Sequence, residues 1–111
     1  MKYLFLLFVI STISINMFGQ NSPGQLLAAK IAQKMTDSLL LNEQQKDQVF
    51  AVNMQLHERK MALRKQYQDH TLLTTQLQLE ENRRDSLYQN VLTPDQYRLY
   101  RRKKAALIVS N

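Results

Sequence analysis

A repeated helix-start pattern constrains the fold of this chain more than any other feature of its sequence. At four places that we predict to start helices, a Ser, Thr or Asn is followed three residues later by Gln. This is the capping box, in which the first side chain and the later amide satisfy each other's free backbone N–H groups. The four boxes begin at Ser22, Asn42, Thr75 and Thr93. Two of them are followed directly by Pro, at the first helical position, where the missing N–H costs nothing. The pattern predicts an all-α fold.

The sequence between the boxes also favours helices. Leu, Gln, Lys, Arg, Ala, Met and Glu predominate there, and β-branched residues are few. We predict four helices, at residues 23–40, 43–68, 72–91 and 94–108. The second would be about 40 Å long. A small chain containing such a rod is expected to form an elongated helical hairpin, and a thin monomer buries so little surface that dimerisation is expected as well.

Residues 1–19 are predicted to be a secretory signal peptide. Lys2 supplies a positive start, an apolar run covers residues 3–10, and Gly19 ends the segment. The run is much shorter than the ~20 residues that cross a bilayer, so cleavage after Gly19 is favoured over an uncleaved membrane anchor. Residues 20–111 would then form a single helical domain. Because small secreted domains of animals usually use disulfides and this chain has no Cys, the predicted compartment is the bacterial periplasm.

Residues that the chain lacks exclude several kinds of chemistry. Without Cys there are no disulfides, thiolate nucleophiles or Cys-ligated metal centres. No Gly follows Gly24, which excludes the Gly-rich phosphate loops of most nucleotide enzymes from the folded part. The two histidines, His57 and His70, belong to no Ser-His-Asp arrangement or paired-carboxylate motif. We therefore predict a protein that is not an enzyme and uses no cofactor.

The net charge of +6 favours anionic partners. Five cations lie within residues 98–104 and are interleaved with Tyr97 and Tyr100. Such a pattern can bind nucleic acid or anionic headgroups. Since an exported protein rarely meets nucleic acid, a solvated cationic face or a contact to acidic proteins is the better interpretation.

The second predicted helix carries two apolar stripes when its residues are placed at 100° intervals. One stripe comprises Val49, Val52, Leu56, Leu63 and Tyr67. The other comprises Phe50, Met54 and Met61. The arc between them is polar and holds Asn53, His57, Lys60 and Arg64. Two interpretations remain open: both stripes are core, one of them at a dimer contact, or the second stripe is exposed beside the cations.

Two groups of side chains suggest other chemistry. Met54, His57 and Met61 place two thioethers and an imidazole on one helical face, a soft ligand set suited to Cu(I). A Met-rich face is more often an adaptable packing or binding surface. On the third helix, Glu80 and Arg84 lie on the core face at i, i+4 spacing. We interpret them as an ion pair that fixes the register of a helix contact, because no nucleophile or second carboxylate accompanies them.

The sequence Leu92-Thr93-Pro94-Asp95-Gln96 resembles the LTxxQ signature of the Spy/CpxP-like family of bacterial periplasmic proteins. Leu41-Asn42-Glu43-Gln44-Gln45 looks like a second copy, with Asn as the cap. That family carries the motif twice, so the resemblance covers essentially the whole exported chain. It implies an ATP-independent chaperone or envelope-stress protein, built as a thin hairpin that dimerises antiparallel into a cradle for unfolded or partly folded proteins.

These observations assign roles to particular residues. We expect non-native polypeptides to bind through Phe50, Met54, Lys60, Met61 and Arg64. The motif residues are predicted to be structural caps, namely Asn42, Gln45, Thr93 and Gln96. The alternative is a metal-binding or stress-sensing module that uses Met54, His57 and Met61 and acts through a membrane partner.

Overall fold

A computed structural model describes residues 22–108, which form four helices. Helix α1 spans Pro23–Leu39, α2 spans Glu43–Gln66, α3 spans His70–Gln89 and α4 spans Pro94–Leu107. Helices account for 86% of these described residues and no strand occurs among them, which confirms the all-α class. Within 22–108, none of the helices combines the length and the apolar character that crossing a bilayer requires. The predicted signal peptide, residues 1–19, lies outside the described residues.

Three of the four predicted capping boxes start helices as expected. Ser22, Asn42 and Thr93 each precede a helix, and each side chain accepts a hydrogen bond from the backbone N–H three residues later. In each case the Gln side chain accepts a bond from the backbone N–H of the cap residue. The starts of α1, α2 and α4 are therefore set by local sequence.

The box predicted at Thr75 is wrong. Helix α3 already begins at His70, because the Asp69 carboxylate accepts a hydrogen bond from the Leu72 backbone N–H at 3.1 Å. Thr75 lies inside the helix, where its hydroxyl donates to the carbonyl oxygen of Thr71 at 3.1 Å. A Thr hydroxyl can bond the carbonyl one turn back as well as it can cap, so the spacing alone did not mark a helix start.

Helix α1 packs on α2, α2 packs on α3, and α4 packs against both α1 and α3. The connections at residues 40–42 and 90–93 lie together at one end of the molecule. The hydrophobic core gathers near this end, where its most buried side chains are Ile31, Ala32, Met35, Val49, Tyr88 and Tyr100. The molecule measures 49 Å in its longest dimension, in keeping with the elongated shape that was predicted.

The opposite end is a two-helix hairpin with little cover. We call residues 57–79, the end of α2 and the beginning of α3 with their connection, the hairpin tip. No residue of the tip is buried. It nevertheless holds seven large apolar side chains, those of Met61, Leu63, Tyr67, Leu72, Leu73, Leu77 and Leu79. Two helices alone cannot enclose side chains on more than the seam between them, so the tip keeps an apolar surface in contact with water.

Candidate binding surface

The two LTxxQ-like segments touch each other. Gln45 and Gln96 lie 51 residues apart in the chain, and the Nε2 atom of Gln45 donates to Oε1 of Gln96 at 2.7 Å. In return, Nε2 of Gln96 lies 3.3 Å from Oε1 of Gln45. Each amide also holds the backbone that precedes the other box: Gln45 donates to the Val91 carbonyl oxygen at 3.1 Å, and Gln96 donates to that of Leu39 at 3.3 Å. The glutamines therefore do more than cap, because they join the α1–α2 connection to the α3–α4 connection.

A buried polar network lies where α2 meets α3. Nη1 of Arg84 donates to Oδ1 of Asn53 at 3.1 Å and to the Tyr88 hydroxyl at 3.0 Å, and that hydroxyl donates to Asn53. Nδ2 of Asn53 donates to the Ala28 carbonyl oxygen of α1 at 3.0 Å. Burial raises the pKa of Tyr88 to about 12, so the hydroxyl group stays protonated and can donate the hydrogen bond to Asn53. The side-chain amide of Asn53 therefore links α1, α2 and α3.

Glu81 connects this network to the surface. Its carboxylate pairs with Arg84, at 3.1 Å from Nε, and with Lys60 of α2. Burial opposes ionisation of Glu81, but the hydrogen bonds from Lys60 and Arg84 outweigh it and lower the pKa of the carboxyl group. Lys60 is thus held by an ion pair within the chain.

The predicted ion pair between Glu80 and Arg84 does not form. Glu80 instead accepts a hydrogen bond from Nε of Arg59 on α2 at 2.8 Å, while Arg84 pairs with Glu81. Both residues do lie at the contact between α2 and α3, as the sequence predicted. The i, i+4 pair does not form because both groups are buried against α2 and each has another partner. Glu80 pairs with Arg59 on that helix, and Arg84 pairs with Glu81, three residues before it.

Asp85 ties α4 to α3. It accepts hydrogen bonds from the Tyr100 hydroxyl at 2.7 Å, from Arg101 at 2.6 Å and from Lys104 at 3.0 Å. Burial works against the charge of Asp85, but Lys104 and Tyr100 outweigh it and lower the pKa of its carboxyl group. Arg98 pairs with Asp95, so three of the five cations in residues 98–104 are engaged within the chain, and fewer of them are free to form the cationic face that was predicted there.

Acid is expected to destabilise the fold through these two carboxylates. The pKa values of Glu81 and Asp85 lie below the ordinary values of 4.5 and 3.8, so their contribution to stability is complete above those values and is lost as the pH falls through the lowered ones. The urea midpoint should be nearly constant above about pH 5 and should fall as the pH is lowered below about 4. Asp85→Asn should lower the midpoint at pH 6 and make the pH dependence shallower. An unchanged pH dependence in this variant would contradict the assignment.

The polar arc of α2 faces a cleft. Asn53, His57, Lys60 and Arg64, which the sequence placed between two apolar stripes, all line an opening of about 310 Å³ between α1, α2 and α3. We call it the α1–α2 cleft. Gly24 permits the close approach of α1, because a Cβ atom there would collide with the imidazole ring of His57.

The two apolar stripes of α2 have different surroundings. Val49 and Leu56 of the first stripe are fully buried. Phe50 of the second stripe is half-buried and packs against the core. Met54 is half-buried and Met61 is exposed. The expected polypeptide-binding set is thus graded, from Phe50 at the core end to Met61 and Arg64 on the exposed hairpin tip.

Sequence reasoning missed two exposed apolar residues of α3. Leu72 and Leu79 each have 52% of their surface exposed, and they stand on the same side of the helix. The signal was present in the sequence, because residues seven apart share a helical face. Like Met61 on α2, they add exposed apolar area to the tip, here on its second helix.

Comparison of the chain with protein-family models, with curated proteins and with solved structures found no match. Within residues 22–108, no three His, Cys, Asp or Glu side chains gather into a group suited to hold a metal ion.

Proposed function

We propose that this chain is an exported, ATP-independent, chaperone-like protein of the Spy/CpxP type, which binds non-native polypeptides in the bacterial periplasm. The observation that carries the proposal is the hairpin tip, which has no buried residue and seven large apolar side chains. Exposed apolar patches on small proteins mark interaction surfaces. The proposed assembly is an antiparallel homodimer in which the tips contribute to a shared binding face.

The chemistry of the tip suits unfolded clients better than one folded partner. Met61, Leu72 and Leu79 are flexible apolar side chains that are about half exposed, and such side chains adapt to many sequences. Arg64 and Lys65 are exposed on the same tip, so the tip combines apolar area with positive charge. A polypeptide that shows both apolar and acidic segments would be held by both, and capture by surface contact needs no nucleotide.

Charge reversal on the tip tests the proposal. Arg64→Glu should weaken suppression of the aggregation of reduced α-lactalbumin, an acidic client, about fivefold in the protein concentration required, the equivalent of about 1 kcal/mol. Its residual activity should also depend less on salt than that of the wild type. Arg64 is the better site than Lys60, because Lys60→Glu would set a second carboxylate beside Glu81 and disturb the fold.

Two controls separate this mechanism from others. Lys30→Glu makes the same change in net charge at an exposed position of α1 and should leave suppression unchanged. Met54→Leu with Met61→Leu keeps the apolar area and removes the thioethers, so it should also leave suppression unchanged, with or without added copper ions. Loss of activity in the leucine variant together with normal activity in Arg64→Glu would contradict the proposal and favour the metal-binding alternative.

A further inference from the structure

The α1–α2 cleft resembles a small-molecule site in its volume and in having an aliphatic wall. Its volume of about 310 Å³ lies at the lower end of the range of roughly 300–1,000 Å³ that is usual for ligand pockets. Leu27, Ile31 and Ile108 supply an aliphatic wall from α1 and from the end of α4. No Phe, Tyr or Trp is among the described residues that line it, so the wall fits a slender alkyl chain better than an aromatic ring.

The opposite wall is positively charged. Lys60, Arg64 and Arg84 line it together with a single carboxylate, that of Glu81, which leaves a formal excess of two positive charges. Lys60 and Arg84 are engaged by Glu81, whereas Arg64 makes no hydrogen bond or ion pair with any described residue. A guanidinium group offers five N–H donors in a fork that matches a carboxylate. The free donors therefore lie at the side of the cleft that faces the aliphatic wall.

From this juxtaposition we infer that the α1–α2 cleft binds a medium-chain carboxylate, with the carboxylate on Arg64 and the alkyl chain against Leu27, Ile31 and Ile108. The inference goes beyond the proposed function, because such a ligand needs no polypeptide client and lies in the cleft, which shares His57, Lys60 and Arg64 with the hairpin tip. A cationic amphiphile is excluded by the charge of the lining, and a bulky ligand by the volume.

Calorimetric titration of the purified protein with decanoate, kept below micelle formation, tests the site. We expect saturable binding of one decanoate per chain. Affinity should fall about fourfold for each methylene removed, the ratio that corresponds to about 0.8 kcal/mol per buried CH₂, so butanoate should bind far more weakly. Decylammonium, with the same chain and the opposite charge, should bind at least about tenfold more weakly than decanoate. The methyl NMR signals of Leu27, Ile31 and Ile108 should shift on saturation.

Variants of Arg64 test where the carboxylate of decanoate binds in the cleft. Arg64→Glu should weaken decanoate binding at least about tenfold, while Arg64→Lys, which keeps the charge, should stay within about threefold of the wild type. Lys30→Glu, the control of equal net charge, should bind as the wild type does. Circular dichroism would check that each variant is folded. The inference is overturned by the absence of saturable heat, by equal binding of decylammonium, or by equal losses in Arg64→Glu and Lys30→Glu. If decanoate binds as inferred while the Arg64→Glu variant still suppresses aggregation fully, the cleft site stands and the proposed function fails.

Discussion

Replacing Glu81 by Gln is expected to lower the free energy of unfolding by about 3 kcal/mol, the low end of the cost of breaking a buried ion pair. Arg84 has only 6% of its side chain exposed, and Glu81 is its only carboxylate partner within the described residues. The substitution would leave the guanidinium charge largely uncompensated inside the contact between α2 and α3. It would also free Lys60, which the same carboxylate holds.

The neighbouring glutamate is the matched control. Glu80 is more buried than Glu81, with 9% of its side chain exposed against 25%, but its partner Arg59 is 48% exposed. When Glu80 is replaced by Gln, Arg59 can turn to water, so the expected loss is below about 1 kcal/mol. Urea unfolding of both variants measures the difference. A larger loss for Glu80→Gln would show that burial of the acid, rather than the exposure of its partner, decides the cost.

Truncation of Tyr100 to Ala is expected to lower the free energy of unfolding by about 4 kcal/mol, as is usual for removal of a buried aromatic ring. The side chain is fully buried, and its ring meets that of Tyr88 edge to face with centroids 5.0 Å apart. It contacts α3 through both Tyr88 and Asp85. Hydrogen exchange should therefore show loss of protection in α4 first.

Tyr100→Phe separates the ring from the hydroxyl group. It keeps the contact with Tyr88 and loses only the hydrogen bond to Asp85, which retains Arg101 and Lys104 as partners. The expected loss is about 1 kcal/mol. If Phe were as damaging as Ala, the hydroxyl and not the packing would be what holds α4 in place.

The helix starts could be predicted from the sequence because a capping box is local. Ser22, Asn42 and Thr93 act within one turn, and no distant residue decides whether they cap. Thr75 failed because the earlier cap at Asp69 is not part of the Ser/Thr/Asn-x-x-Gln pattern. Contacts between distant segments could not be predicted, because nothing in the spacing of Gln45 and Gln96 shows that their amides meet.

The surroundings of α2 were predictable only in part. Its periodicity identified Val49 and Leu56 as core, since the apolar stripe of an amphipathic helix faces the core. Asn53 is 4% exposed although it belongs to the polar arc. Helix α1 crosses α2 there, and the Ala28 carbonyl oxygen accepts a hydrogen bond from Nδ2 of Asn53. Periodicity gives the direction of a side chain but not which helix will cover it, so the α1–α2 cleft could not be derived from the sequence.

Hydrogen exchange of the protein with and without an unfolded client tests the central proposal most directly. On addition of reduced α-lactalbumin, amides in residues 57–79 should gain protection, because the proposal places the client on the hairpin tip, where no residue is buried in the free chain. Lys30→Glu should give the same pattern, and Arg64→Glu a weaker one. Protection confined to residues 98–104, or none anywhere in the protein, would contradict the proposal that the tip holds non-native polypeptides.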